Sequence, residues 1–434
     1  MPATYGFLST YPPTQCGLAT FNAALATHLV TGSAGSGVVR LLAGDNASGG
    51  IALDRSAPRV VHTWHTDRPG GWVAAATALN RFDVAVVQHE YGIYPGDAGE
   101  EVLPVLRALR VPSIVVLHTV LTQPDPLQRS VLEQIAATAD AVVTMTDTAR
   151  TRLTEFYDVD PRKITVIPHG AASHTVTAGP VTAGPGTGGS FTAGTVTARP
   201  GTAGSGTGGS GTGGSGTAGS FTADERHGRP HLLTWGLLGP GKGIEWALRA
   251  LASLDDIDPR PIYTVAGRTH PKVLEQQGDV YRDSLKRIAE ESGIADCVRW
   301  EDVYLDPDDL SRLICSADAV VLPYDSTEQV TSGVLIEAVA AGVPVVATEF
   351  PHAVELLADG PGLLVPHQDP EAMAMAIRRV LAEPGLAEPG LAGRLTGLAG
   401  GPTLRWPAVA ARYQSLANRL LADRRPLAAQ TISA

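Results

Sequence analysis

At 434 residues, 44% of them apolar, the chain has the length for roughly two or three domains with proper cores. A net charge of −11 and the lack of any basic block exclude nucleic acid as the main partner. Cys16, Cys297 and Cys315 are odd in number and far apart, which sets aside a disulfide framework or a metal knuckle and points to a reducing compartment. The N-terminus lacks a charged start followed by an apolar core, and no apolar run approaches the ~18 residues of a membrane span. A cytoplasmic protein is expected, with peripheral membrane contact left open.

In chain order, runs of Val, Ile, Leu and Ala predict strands near Gly6–Ser9, Val38–Ala43, Arg59–Thr63, Val84–His89, Ile114–His118, Ala141–Met145 and Ile164–Ile167. Helical stretches such as Ala19–Val30 and Thr148–Tyr157 fall between several of them. Runs without alternation mark strands buried on both faces, the pattern of a parallel sheet flanked by helices. From His174 to about Ala223 the sequence is almost wholly Thr, Ala, Gly, Ser and Pro, with near-repeats of Gly-Thr-Gly-Gly-Ser. Such a tract cannot bury enough apolar surface to fold, and a disordered tether spanning ~40 Å is expected. The same grammar then returns with Leu232–Trp235, Tyr263–Ala266, Val298–Trp300, Ala319–Pro323, Val345–Thr348 and Gly362–Val365. Asp306-Pro307 before Asp308–Ser316, and Asp369-Pro370 before Glu371–Leu381, each put a capping Asp ahead of a first-turn Pro. The run from Trp406 into Leu420 is amphipathic at helical spacing. The expected fold class is α/β, with two doubly wound, Rossmann-like parallel-sheet domains facing a central cleft and their ligand sites at the carboxyl ends of the strands.

Four stretches carry chemistry. Gln329 to Glu337 reads Gln-Val-Thr-Ser-Gly-Val-Leu-Ile-Glu, and a short apolar helix should start near Gly333 and end at Gly342 and Pro344. Its first N–H groups, near Ser332, Gly333 and Val334, and the positive end of its dipole favour an anion. One turn on, Glu337 can accept from hydroxyls of the same guest; phosphate with polyol means a nucleotide sugar. The second stretch is the glycine loop Trp235–Gly243 before the helical run Ile244–Leu254, where Lys242 adds a mobile charge to an anion site. Read as Gly-x4-Gly-Lys it nearly matches a P-loop, but Gly243 stands where the Mg²⁺-ligating Ser or Thr belongs. The third is the loop Ser9–Phe21, containing Pro12-Pro13, Cys16 and Gly17. The fourth is a set of three strand-end histidines, His89 before Glu90, His118 and His169, which together mark a cleft.

These stretches resemble GT-B glycosyltransferases of the family 4 type, marked by a Glu, seven residues and a second Glu. Here Glu337 is the second, Gln329 holds the first position, and Glu328 lies one place earlier. The family's Gly-Arg-Leu, three residues, Lys-Gly is met at Lys242 and Gly243, with Leu237 in place of Arg; Arg268, after the next strand, is the candidate second cation. The first loop is similar to the family's Pro-Pro, short gap, Gly-Gly, with Cys16 for the first glycine and Gly17 as the second. His118 matches a His that contacts the transferred sugar, His89 and Glu90 look like acceptor-side residues, and His169, in Pro-His-Gly, is given a structural role. In this fold a terminal helix with an early Trp crosses back to the first domain.

The resemblance implies transfer of a sugar from a nucleotide diphosphate-sugar to a carbohydrate or other hydroxyl acceptor, with retention of configuration and neither metal nor cofactor. His118, Gln329 and Glu337 would be catalytic; Gly17, Lys242, Gly243, Arg268, Ser332, Gly333 and Val334 would bind the donor. The expected division is an acceptor-side domain over 1–173, the linker over 174–228, a donor domain over 229–401, the returning helix over 402–424 and a tail over 425–434. Other readings stay open: a nucleotide-sugar-binding protein without turnover, a P-loop-like NTPase, a phosphorylase or hydrolase using Glu90 and Glu337 as acid and nucleophile, and Cys16 as a nucleophile.

Overall fold

The computed structural model describes residues 2–30, 35–43, 57–172, 228–358, 362–383 and 404–424. The tract read as a linker, 174–223, the tail over 425–434 and Gly400 to Pro402 lie outside the described residues.

The first half runs β1 (Tyr5–Thr10), α1 (Gly17–Leu29), β2 (Gly37–Leu42), β3 (Arg59–His65), α2 (Gly71–Leu79), β4 (Val84–His89), α3 (Val102–Ala108), β5 (Ser113–Leu117), α4 (Pro126–Thr138), β6 (Ala141–Thr144), α5 (Asp147–Phe156) and β7 (Ile164–Val166). Its seven strands are parallel in the order β3-β2-β1-β4-β5-β6-β7. The second half runs β8 (His231–Trp235), α6 (Ile244–Ala252), β9 (Ile262–Ala266), α7 (Pro271–Gln277), α8 (Val280–Glu291), β10 (Val298–Glu301), α9 (Pro307–Cys315), β11 (Ala319–Leu322), α10 (Gly333–Ala340), β12 (Val345–Thr348), α11 (Pro351–Leu357), β13 (Gly362–Val365) and α12 (Pro370–Ala382). Its six strands are parallel in the order β10-β9-β8-β11-β12-β13. A last helix, α13 (Trp406–Asp423), closes the described chain.

The cause is visible in the strands. Every residue of β4, β5, β8, β11 and β12 is buried, because apolar side chains leave both faces of each sheet and meet helices there. Helices start where short polar side chains satisfy the first N–H groups: Asp125 closes a capping box on α4, Asp306 accepts from Asp308 and Asp309 ahead of α9, and Asp369 accepts from Ala372 in α12. The terminal α13 packs against the first sheet rather than the second. Trp406, Val409, Tyr413 and Leu416 share a core with Phe7, Phe21, Leu25 and Leu29, each large side chain contributing roughly 1.5–3 kcal/mol by burial. Arg424 then pairs with Asp140 at 2.7 Å.

Each strand order reverses once, between β1 and β4 in the first sheet and between β8 and β11 in the second. A crevice opens at such a reversal because the flanking connections leave for opposite faces. The loops after β1, β4, β5, β8 and β11 therefore line the site.

Candidate active site in the cleft

On the C-terminal side, the glycine loop after β8 delivers Lys242 to the mouth of the β8/β11 crevice. Its Nζ lies 4.4 Å from the centre of the Tyr324 ring, which is fully buried and packs on Phe350 at 5.1 Å. Burial lowers the Lys242 pKa, and among the described residues no carboxylate pairs with it. The next residue must be glycine: φ is +63° at Gly243, and a Cβ would stand 1.7 Å from the Pro323 carbonyl oxygen. That close approach seats the start of α6 against the end of β11. Arg268, after β9, reaches across the cleft, its Nη1 donating to Gln15 Oε1 at 3.1 Å.

The start of α10 is the second anion-seeking feature. Ser332 caps it, its Oγ accepting from the Leu335 N–H at 3.2 Å. One expectation is corrected here: the Ser332 N–H is not free for a ligand, since it donates to His352 Nδ1 at 2.7 Å. The amides of Gly333 and Val334 have no protein acceptor among the described residues. His169 lies against this turn, for a Cβ on Gly333 would come within 2.9 Å of its Nε2. It is thus part of the cleft, beyond the structural role read from its motif, and its ring also meets Phe21 and Trp406 edge-on or tilted.

Glu328 and Gln329 face different tasks. Glu328 accepts from the Thr122 amide at 3.0 Å and from the Thr122 hydroxyl, and pairs with Arg152 at 2.8 Å. The Gln329 Nε2 donates to the Thr331 carbonyl at 3.1 Å, which uses one of its two amide hydrogens and orients the side-chain oxygen as an open acceptor. Glu337 has no protein hydrogen bond among the described residues, and burial pushes its pKa up to about 7. Its charge is felt by Tyr304, whose hydroxyl shares a hydrogen bond of 2.8 Å with Thr20 of α1.

The N-terminal wall is built from α1 and the ends of β4 and β5. Apart from its own chain neighbours and helix backbone, nothing among the described residues crowds a Cβ placed on Gly17, so the start of α1 is exposed. Cys16 serves as the cap of α1, its Sγ taking the Ala19 N–H at 3.4 Å. His118 shares a hydrogen bond of 2.9 Å between its Nε2 and Gln88 Oε1 and packs edge-on against Phe21 at 4.8 Å. Burial, aided by His169 and His89, lowers its pKa to about 3. With a carbonyl oxygen at Nε2 the proton sits there, and Nδ1 offers a lone pair. His89 is wholly buried, neither ring nitrogen has a hydrogen-bond partner among the described residues, and burial lowers its pKa to about 4. Glu90 accepts from Thr119 Oγ1 at 2.6 Å and from the Tyr91 N–H at 3.1 Å; burial raises its pKa.

Sequence reasoning missed Arg152, His352, Tyr304, Tyr324 and Gln88. His352 follows a Pro at the start of α11 and Gln88 precedes a strand-end His, which are faint signals; Arg152 gave none.

Residues 229–383 match the family model described as Glycosyl transferases group 1, and residues 51–172 the one described as Glycosyltransferase Family 4. The D-inositol 3-phosphate glycosyltransferase of Actinosynnema mirum is 29% identical over 290 residues, or 64% of this chain, and the chain spans 58% of that relative's length. A crystallised glycosyltransferase from Rickettsia africae superposes with a TM-score of 0.65 at 15% identity, covering 96% of this chain and 99% of that one. Anabaena HepE in complex with UDP-glucose gives 0.59 at 15% identity, covering 96% and 98%. At such identities the two structures speak for the architecture.

Proposed function

The chain belongs to the group 1, family 4 glycosyltransferases of GT-B fold, and from that premise we propose that it moves a sugar from a nucleoside diphosphate donor to an acceptor hydroxyl, with retention of configuration and without a metal. One observation carries the donor class: Lys242 is a half-buried cation held on an aromatic face with no carboxylate partner among the described residues, immediately before the start of α6. A group arranged in this way is complete only with an anion. In the proposed step the bond from the anomeric carbon to the diphosphate oxygen breaks, the acceptor oxygen bonds to that carbon, and the acceptor proton passes to the released diphosphate. Lys242 and the Gly333 and Val334 amides stabilise the leaving charge; an electrostatic donor of this kind is worth ~100- to ~1000-fold in rate. Glu337 accepts from ribose hydroxyls, and the free end of Gln329 and Nδ1 of His118 accept from hydroxyls of the transferred sugar. Glu90 and His89 belong to the acceptor side, where Glu90 accepts from or donates to a hydroxyl of the acceptor.

A screen of donor hydrolysis and thermal shift across UDP-, GDP-, ADP- and TDP-sugars tests this reading. One donor class should raise the melting temperature in proportion to concentration over Kd and be turned over. Stabilisation without turnover under any acceptor would favour the binding-only reading, to which Gln329 in place of a carboxylate gives some support.

A further inference from the structure

The loop ahead of α10 belongs to the C-terminal sheet by connection, yet it is fastened to the N-terminal half. Arg152 of α5 is buried and sends Nη1 to the Val120 carbonyl at 3.1 Å, to the Glu328 carbonyl at 3.1 Å and to the Glu328 carboxylate at 2.8 Å; its Nη2 donates to the Thr327 carbonyl at 3.3 Å. Two residues on, Thr146 Oγ1 donates to the Val330 carbonyl at 3.1 Å, and the Val330 side chain is buried in the N-terminal core. Gln329 is therefore held between two clamped neighbours, and its own carbonyl accepts from the His352 N–H at 3.2 Å. Nearby, Glu355 of α11 accepts from the first amides of α5, Asp147 at 2.9 Å and Thr148 at 2.8 Å.

We propose that Arg152 is a positioning residue for sugar transfer, acting through Glu328 to fix Gln329 at the transferred sugar. The inference rests on the glycosyltransferase reading above. It also explains the displaced acid: Glu328 serves as the anchor and the following residue is the one presented to the donor. A buried guanidinium with three carbonyl acceptors needs one carboxylate to neutralise it, and that carboxylate comes from the other half of the cleft. The start of α10 has further supports of its own in the Ser332 bond to His352 Nδ1 and in the contact with His169, so the diphosphate site should survive loss of the anchor.

The test uses the full chain and the donor found by the screen. Kinetics of Arg152→Met, Arg152→Lys, Glu328→Gln and the Met/Gln double variant are measured beside calorimetry with the nucleoside diphosphate alone. Misplacing a contact group by about 1 Å can cost ~100-fold, so kcat of Arg152→Met should fall ~10- to ~100-fold. Diphosphate affinity should stay within about 3-fold. Arg152→Lys should recover part of the loss, and the double variant should fall no further than Arg152→Met, since the pair acts as a unit. Should Arg152→Met not fold, Arg152→Lys and Glu328→Gln carry the same split between kcat and diphosphate binding. Parallel losses of kcat and diphosphate affinity, or an unchanged kcat in folded variants, overturn the proposal. A wild-type chain that turns over no sugar nucleotide overturns the functional reading, and this one with it.

Discussion

The two walls of the cleft are built from the same unit, strand then helix, and differ in the charge they present. The C-terminal wall offers two cations, Lys242 and Arg268, and the amides of Gly333 and Val334 that open α10. The N-terminal wall offers His89, His118 and His169, which burial holds uncharged, and Glu90, which burial draws toward its neutral form. A parallel sheet thus fixes where a ligand sits, while side chains at strand ends decide what the ligand is. On the function proposed above, one wall takes the leaving anion and the other takes hydroxyls, which need acceptors that do not attract counter-ions.

Acid should erase the contrast with the largest effect. His89 and His352 are fully enclosed, and burial lowers them to about 4 and about 3. A depressed histidine pKa gives stability that is whole above the unfolded value near 6.5 and is lost as pH falls toward the folded value. Each costs ~1.4 kcal/mol per pH unit in that window, ~3 kcal/mol for the two. Urea midpoints at pH 7.5 and pH 5 read this directly, and equal midpoints would refute it. His352 must also be neutral to accept from Ser332, so the donor loop should loosen in the same range.

Removing the cation from the other wall comes next. Lys242→Ala should weaken nucleoside diphosphate binding ~10- to ~100-fold, the loss of one charge-assisted contact, and leave the nucleoside nearly unchanged. Equal losses in calorimetry would place Lys242 away from the phosphates. A smaller effect belongs to Glu337, whose folded pKa of about 7 lies above its unfolded value. The stability it contributes is present below about pH 4.5 and lost as pH rises through 7, so Glu337→Gln should be more stable than wild type at pH 8, by on the order of 1 kcal/mol, and equal to it at pH 4. Donor binding, which favours the carboxylate, should release a proton at pH 6.5, seen as a buffer-dependent enthalpy. The smallest change is expected for His89→Leu. Losing two unpaired ring nitrogens costs little, so stability should move by less than ~1 kcal/mol, while acceptor KM rises and donor KM does not. A donor KM that moves instead would shift His89 to the other wall.

Much of this was legible in the chain because the informative interactions are local. The strands announce themselves as unbroken apolar runs, and Lys242, Gly243 and Glu337 are readable because loop and helix follow one another within a few residues. Arg152 was not, since its carboxylate lies 176 positions away, and the Thr122 contact to the same Glu328 spans 206. Ser332 shows the same limit from the other side: its place at a helix start is a local fact, but the imidazole that takes its amide comes from α11. His169 reads as a turn residue until Phe21, Trp406 and Gly333 close around it from three distant parts of the chain.

The return of α13 to the first sheet makes the C-terminal half a guest lodged within its host. The described part of that guest runs from residue 228 to residue 383, with host on either side of it in the sequence. The dependence between the halves is unequal: the guest lends its host Val330 and rests Ile336 on Ala171 and Leu404, while the host draws a whole helix from beyond the guest. A fragment over 228–383 keeps its whole six-stranded sheet and both of its packed faces. A fragment ending at 172 is missing the side chains of Trp406, Val409 and Tyr413 from its own interior. Trimming the protein from its far end therefore damages its beginning.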